Sequence, residues 1–335
     1  FFFKQKTAYE IKECDWSSDV CSSDLATPNT VHCEAVVTAA RAGKHILCEK
    51  PMATSLAECD AMIAAAEKAG VRLLMVSKIL EPPVRAMRKV IDGGRIGEVF
   101  QINTVVFTDW LQRPRSADEL KTELGGGMLF RQAPHAVDIQ RYVVGKPVKS
   151  VRAATGRRDV NFAAEGHFSA LLNFGGGVTG TMNVNGYGYF DGAELTGGIG
   201  ESGDRRTNES MRKSRKRRAG PVSEVEKFAA IDGRAPKAGK NDYAQPFYGL
   251  TVVSGERGVL RQSPDGILVY AANGCEEITL PIESRAAAEL IEMRDALAQD
   301  RPAFPDGRWG RDTLAVATAM LQSSREEREI PIDAP

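Results

Sequence analysis

The stretch His45-Ile46-Leu47-Cys48-Glu49-Lys50-Pro51 decides the fold. A short apolar run before a turn signal reads as a buried strand ending at Cys48, and Pro51 keeps Lys50 on extended backbone. Lys50 is thereby presented at a strand's carboxyl end, the edge at which open α/β sheets bind ligands. A lysine partly withdrawn from water there loses its proton more easily and can act as a base. Lys-Pro alone is equally readable as a surface lysine beside a turn, so the neighbouring sequence decides.

Upstream, Asn29 or Thr30 can cap a helix through 42, with Gly43 where a left-handed stop belongs. Downstream, Ser55-Leu56-Ala57-Glu58 spells a capping box, the helix runs to Gly70, and 71–76 reads as another strand. Strand, helix and strand on short links define a parallel, doubly wound sheet. Pro82-Pro83 opens a further helix that ends at Gly93-Gly94. From Val99 the texture changes. Strands are predicted over 101–107, 168–174, 178–184, 250–254, 258–262, 267–270 and 277–280, and closing helices over 286–298 and 312–325. The expected fold class is α/β plus α+β: a truncated Rossmann-like parallel sheet, then an open, largely antiparallel sheet domain with helices on one face. The expected domains are 26–98 and 99–308, with a C-terminal helix and tail over 309–335.

Residues 1–25 have another character. They show neither helical nor strand period, and they lack the charge and cleavage pattern of a secretory leader. The segments 4–10 and 15–25 resemble the conceptual translation of a sequencing adapter, with 11–14 where an index would sit. On that reading 1–25 is an unstructured artefact, Cys14 and Cys21 carry no information, and about 60 to 70 residues of the first βαβ half are missing.

Bulk composition narrows the function classes. Lys+Arg and Asp+Glu both number 44, so no global field points to nucleic acid or a membrane surface. No apolar run is long enough to span a bilayer. The six cysteines lack metal-like CxxC spacing and fit a reducing, cytoplasmic setting, and no metal is expected. The run Lys213-Ser214-Arg215-Lys216-Arg217-Arg218, with Arg205 and Arg206 upstream, lacks interleaved aromatics and reads as a solvated loop.

Two stretches spell G-x-G-x-x-G, starting at Gly175 and Gly198. That motif cradles a pyrophosphate only between a strand and the N-terminus of a helix. The first copy joins two strands and the second enters charged loop, so both are decoys.

A second constellation lies in the sequence 125–138, GGGMLFRQAPHAVD. Arg131, His135 and Asp138 fall at i, i+4 and i+7, one helical face. A histidine beside a carboxylate can trade protons near neutrality, although a solvated polar face packed behind by Leu129, Ile139 and Val143 satisfies the same spacing.

Ala26-Thr27-Pro28-Asn29-x-x-His32, Gly43-Lys44-His45, Glu49-Lys50-Pro51 and the glycine triplet followed by His135-x-x-Asp138 together resemble, in order and spacing, the Gfo/Idh/MocA family of NAD(P)-dependent oxidoreductases. The resemblance covers the chain after Leu25. It implies a Rossmann domain with a substrate-binding α+β domain, NAD or NADP as cofactor, and hydride transfer to or from a substrate carbinol flanked by Lys50 and His135. It places Pro28, Asn29, His32, Glu49 and Lys50 at the cofactor, and it implies a homo-oligomer, dimer or tetramer.

One departure is informative. Most members carry an aspartate four residues before the histidine, where this chain has Arg131. A fixed cation with a planar fork suits a carboxylate, so a small anionic substrate is expected, bound by Arg131 and Asp138 with Arg113 and Trp110 from the 108–115 loop. That loop, with Leu129-Phe130-Arg131-Gln132-Ala133-Pro134-His135 and Arg261-Gln262-Ser263-Pro264-Asp265-Gly266, looks like the phthalate 4,5-cis-dihydrodiol dehydrogenase branch. The expected reaction is oxidation of a carboxylated cis-dihydrodiol. The alternatives are a sugar or inositol dehydrogenase, or an inert fragment without its phosphate loop.

Overall fold

A computed structural model describes residues 22–25, 27–160, 162–209, 243–283 and 285–332. The basic run at 213–218 and residues 1–21 lie outside the described residues.

Three parallel strands, β1 (Ser22–Leu25), β2 (His45–Cys48) and β3 (Leu73–Met75), form one sheet in the order β1-β2-β3. β1 corrects an expectation, because it consists of residues that the sequence reading left unstructured. The ladder accounts for it: parallel pairing uses main-chain groups, which any non-proline sequence supplies.

Helix α1 (His32–Arg41) links β1 to β2, and α2 (Leu56–Ala69) links β2 to β3. Asn29 starts a single 3-10 turn but gives α1 no side-chain cap. Ser55 caps α2 by accepting from the Glu58 N–H, and Gly70 ends it in the left-handed region. The Glu58 carboxylate binds Thr54 N–H and Oγ1, one residue ahead of the expected reciprocal partner. Ile46, Leu47 and Cys48 are all buried, as a parallel strand covered on both faces requires. Ile46 and Cys48 join the main core with α1 and α2, whereas Leu47 and Leu74 face Met293, Ala296 and Ala303. Helix α5 (Arg285–Ala298) and the segment to 303 therefore cover the parallel sheet, although the sequence reading placed them in the second domain.

The second sheet has nine strands among the described residues, in the order β11-β10-β9-β8-β4-β7-β6-β5-β12, where β8 is Leu250–Gly255, β9 Gly258–Ser263, β10 Gly266–Ala271 and β11 Gly274–Thr279. β4 (Val99–Phe107) runs parallel to β7 (Val178–Asn185), and every other pairing is antiparallel. On β6 (His167–Gly175), Phe168, Ala170, Leu172 and Phe174 are buried while Ser169, Leu171 and Asn173 face outward, the period-two pattern of a half-covered sheet. Gly175, Gly176 and Gly177, all at positive φ, make the β6–β7 turn, so the first decoy binds no phosphate loop position.

α3 (Pro82–Asp92), α4 (Gly127–Val144) and α6 (Gly307–Glu326) pack on the covered face. α6 begins five residues earlier than expected, because Asp306 caps it by accepting from Trp309 N–H at 2.9 Å. It packs against α2, α4, β3 and β5, and β12 (Ile330–Pro331) pairs with β5 (Ser150–Gly156). The C-terminal helix is thus the joint between the two sheets, which fixes the geometry of the cleft between them.

Candidate active site

The segments that follow β2 and β3 both reach α4, through Lys50 and Ser77. Lys50 follows β2 and donates from Nζ to the main-chain carbonyl of Arg131 on α4, at 3.0 Å. Pro134 contributes no N–H to that stretch of helix, and Lys50 adds a donor beside it. Burial lowers the Lys50 pKa to about 7; Arg131 and Lys78 act in the same direction, against Glu49 and Glu201. An amine near neutrality is the state a general base needs.

α4 carries the expected triad, but its members face different partners. His135 is buried with its ring edge against Tyr248, centroids 4.9 Å apart. Arg131 pairs with Glu119 at 3.2 Å, while its Nε is buried with no hydrogen-bond partner among the described residues. Asp138 differs from its expected role. Its carboxylate accepts from Ser77 Oγ at 2.6 Å, Trp309 Nε1 at 2.8 Å and Thr313 Oγ1, with the Arg141 guanidinium at 4.0 Å. Burial pushes its pKa up against these donors. With its oxygens engaged by Ser77, Trp309 and Thr313, Asp138 fastens the segment after β3 to α4 and α6, beside the small pocket that Lys50 lines.

The glycine triplet sets the start of α4. A Cβ on Gly126 would meet the carbonyls of Asp118, Glu119 and Lys121 at 2.4–2.6 Å, and one on Gly127 (φ +78°) would meet the Glu165 carboxylate at 2.2 Å. Glu165 instead accepts from Leu129 N–H and so stands at the helix N-terminus, where the dipole favours an anion.

Trp110 is also reassigned. It is 2% exposed and its ring is covered by the Arg115 guanidinium 4.2 Å away, so it is core. Arg113 is held by Asp109 at 2.8 Å and Thr108 at 3.0 Å and lines a small cavity with Glu201, Arg206 and Tyr248.

Three residues that sequence reading passed over complete the site. Lys78, at the end of β3, is 1% exposed and lies 3.2 Å from Glu81 and 3.3 Å from Glu201, with Nζ 5.4 Å from the Tyr248 ring centre. The Tyr248 hydroxyl donates to Gln132, 2.6 Å from its carbonyl and 3.0 Å from Oε1, and burial raises its pKa. Glu201 sits inside the second glycine decoy. The signal for Lys78 was available: like Lys50, it is a lysine directly after a buried strand.

Of the expected cofactor residues, Pro28 is exposed and Glu49 partly exposed at the strand ends, whereas Asn29 and His32 turn inward. Asn29 Nδ2 donates to Leu124 O at 2.7 Å, bridging the domains. The His32 ring is held among the carbonyls of Thr27, Pro51 and Met52, at 2.9, 3.1 and 3.2 Å, which fixes the turn after Lys50. Pro28, Glu49 and Lys50 follow the carboxyl ends of β1 and β2, the edge at which open parallel sheets bind dinucleotides. Among the described residues no three His, Cys, Asp or Glu side chains cluster as a metal site, and no helix is long and apolar enough to cross a membrane.

Fold and site together define a two-domain, dinucleotide-binding oxidoreductase. The family model described as "oxidoreductase family, NAD-binding Rossmann fold" matches residues 10–77, and the Gfo/Idh/MocA C-terminal-domain model matches 84–197. A 1-carboxy-3-chloro-3,4-dihydroxycyclohexa-1,5-diene dehydrogenase of Comamonas testosteroni is 32% identical over 314 residues, 90% of this chain and 79% of its own. A levoglucosan dehydrogenase of Pseudarthrobacter phenanthrenivorans is 34% identical over 151 residues, 42% of this chain and 39% of its own. A crystal structure from Bordetella bronchiseptica RB50 superimposes with a TM-score of 0.87 at 35% identity, over 97% of this chain and 86% of that one. The chain belongs to the Gfo/Idh/MocA family of NAD-binding oxidoreductases.

Proposed function

We propose that the protein oxidises a carbinol of a carboxylated cis-dihydrodiol, with NAD or NADP as hydride acceptor. The observation that carries this is the Lys50–Arg131 contact, in which an amine of pKa about 7, lowered in part by the Arg131 charge, holds the main-chain carbonyl of Arg131 at a parallel sheet's ligand edge. The similarity to the Comamonas diene-diol dehydrogenase supports the same substrate class.

Neutral Lys50 takes the proton of the substrate hydroxyl. His135, one turn beyond Arg131 on α4, shares that proton. The bound dinucleotide supplies the acceptor for the hydride. Loss of H⁺ and H⁻ converts the carbinol to a ketone, which becomes a catechol by moving a ring proton to oxygen. Arg131 orients a ring carboxylate, with Arg113 further along the wall, and the buried Tyr248 holds the Gln132 main chain in place between Arg131 and His135.

The test is reduced-dinucleotide formation with phthalate 4,5-cis-dihydrodiol against levoglucosan and myo-inositol. A higher kcat/KM for the dihydrodiol supports the proposal. Faster turnover of the polyols assigns the protein to the sugar and inositol dehydrogenases of the family.

A further inference from the structure

Lys78 is a buried cation with two carboxylates at its ammonium, and the two are not equivalent. Glu81 is three residues away on the same stretch of chain and is 7% exposed at its side chain. Glu201 comes from the second domain, is 31% exposed, and lines the cavity shared with Arg113 and Tyr248. Lys78 itself does not line that cavity; its ammonium stands behind Glu201 and over the Tyr248 ring. The backbone that carries Glu201 is fixed by Gly200 N–H to Asp204 O, Gly203 N–H to Gly200 O and Phe247 N–H to Gly200 O, so a departure of the glutamate from Lys78 is a movement of its side chain and not of its backbone.

The ion pairs around the cavity favour such a departure when an anion enters. Arg113 is matched by Asp109, and Arg206 faces both Asp191 and Asp204. Lys78 likewise faces two carboxylates. Among the described residues Lys78 already holds two carboxylates, so a ligand carboxylate reaching it replaces one of them, and Glu201 is the one with access to solvent.

We propose that Glu201 is an internal stand-in for the substrate, and that a ring carboxylate of the substrate displaces it from Lys78. This rests on the carboxylated-substrate reading and assigns Lys78, beyond Arg131, as the residue that selects for the second acid group. The exchange trades one Lys-carboxylate pair for another, so the buried ammonium is never left unpaired. It also makes the site selective, because a neutral ligand cannot compensate Lys78 and leaves Glu201 where it is.

The test is calorimetric titration of the full chain with phthalate, and separately with neutral cis-benzene dihydrodiol, in the presence of NAD⁺. Glu201→Gln removes the competing charge and is expected to tighten phthalate about tenfold relative to the neutral diol. Lys78→Met is expected to weaken phthalate about tenfold, and Lys78→Met/Glu201→Gln to match Lys78→Met, because the competition needs the lysine. Unchanged, weaker or undetectable phthalate binding in the soluble Glu201→Gln protein overturns the proposal, whether or not Lys78→Met folds. Since binding is read without turnover, a protein that turns over only polyols would fail the activity screen and still give a clear answer here.

Discussion

Lys50 Nζ hydrogen-bonds the main-chain carbonyl of Arg131, not a carboxylate, at 3.0 Å. A neutral acceptor fixes the position of the amine and favours its charged form less than a carboxylate would. A carboxylate in that place would have held the proton on. Position comes from the carbonyl and basicity from burial, with the Arg131 and Lys78 cations adding to the downward shift.

Lys50→Met is accordingly expected to lower kcat by about a hundredfold to ten-thousandfold, the usual worth of a general base, with dinucleotide affinity nearly unchanged. Wild-type kcat/KM for oxidation should rise with pH and level off above about 7, where the native lysine is neutral. Initial rates across pH, with dinucleotide binding followed by fluorescence, check both. Undiminished turnover would remove Lys50 from the chemistry.

Arg131 shares Glu119 with Arg115, each at 3.2 Å, so one carboxylate is divided between two guanidiniums. Replacing Arg131 with glutamine should cost carboxylated substrates about 1.5–3 kcal/mol in kcat/KM, the range for a hydrogen bond to a charged group. Polyols should be affected little. Glutamine is the sharper test because an aspartate there would repel Glu119. An unaltered ratio between the two substrate classes would refute the anion clamp.

The local parts of this site were readable. An apolar run into Glu-Lys-Pro placed Lys50 at a strand end, and i, i+4 spacing placed Arg131 and His135 on one helix. Spacing could not say what each side chain meets, because those partners come from distant segments: Asp138 shares the helix with His135, yet Ser77, Trp309 and Thr313 enclose it. Asp306-Gly307 spells a turn and in the fold caps α6, which hid the first turn of the joining helix. Glu201 was concealed by glycines whose spacing imitates a phosphate loop, and Trp110 by a loop of arginines that suggested a ligand where the fold needed core.

Asp138 joins both sheets through one buried carboxylate, so Asp138→Ala should act on stability more than on substrate binding. Removing it leaves Arg141, Ser77, Trp309 and Thr313 without their shared acceptor, at a cost of about 3 kcal/mol or more. Urea unfolding followed by Trp309 and Trp110 emission measures this. A large rise in KM at unchanged stability would restore Asp138 to the substrate.

His32 gives the stability a pH dependence of defined sign. Burial lowers its pKa below 6.5 despite the flanking carbonyls, so the native ring is neutral where the unfolded ring begins to protonate. Unfolded chains then bind more protons than native ones. The contribution is fully present above pH 6.5 and is lost as pH falls toward the native value. His32→Ala should lower stability near pH 8 by about 1 kcal/mol for the lost hydrogen bonding, and should flatten the decline below pH 6.5. Because His32 also fixes Pro51, kcat should fall in the same variant through a displaced Lys50. Urea midpoints at a series of pH values, compared with wild type, decide it: an equally steep acid decline in His32→Ala would mean that another group sets the slope.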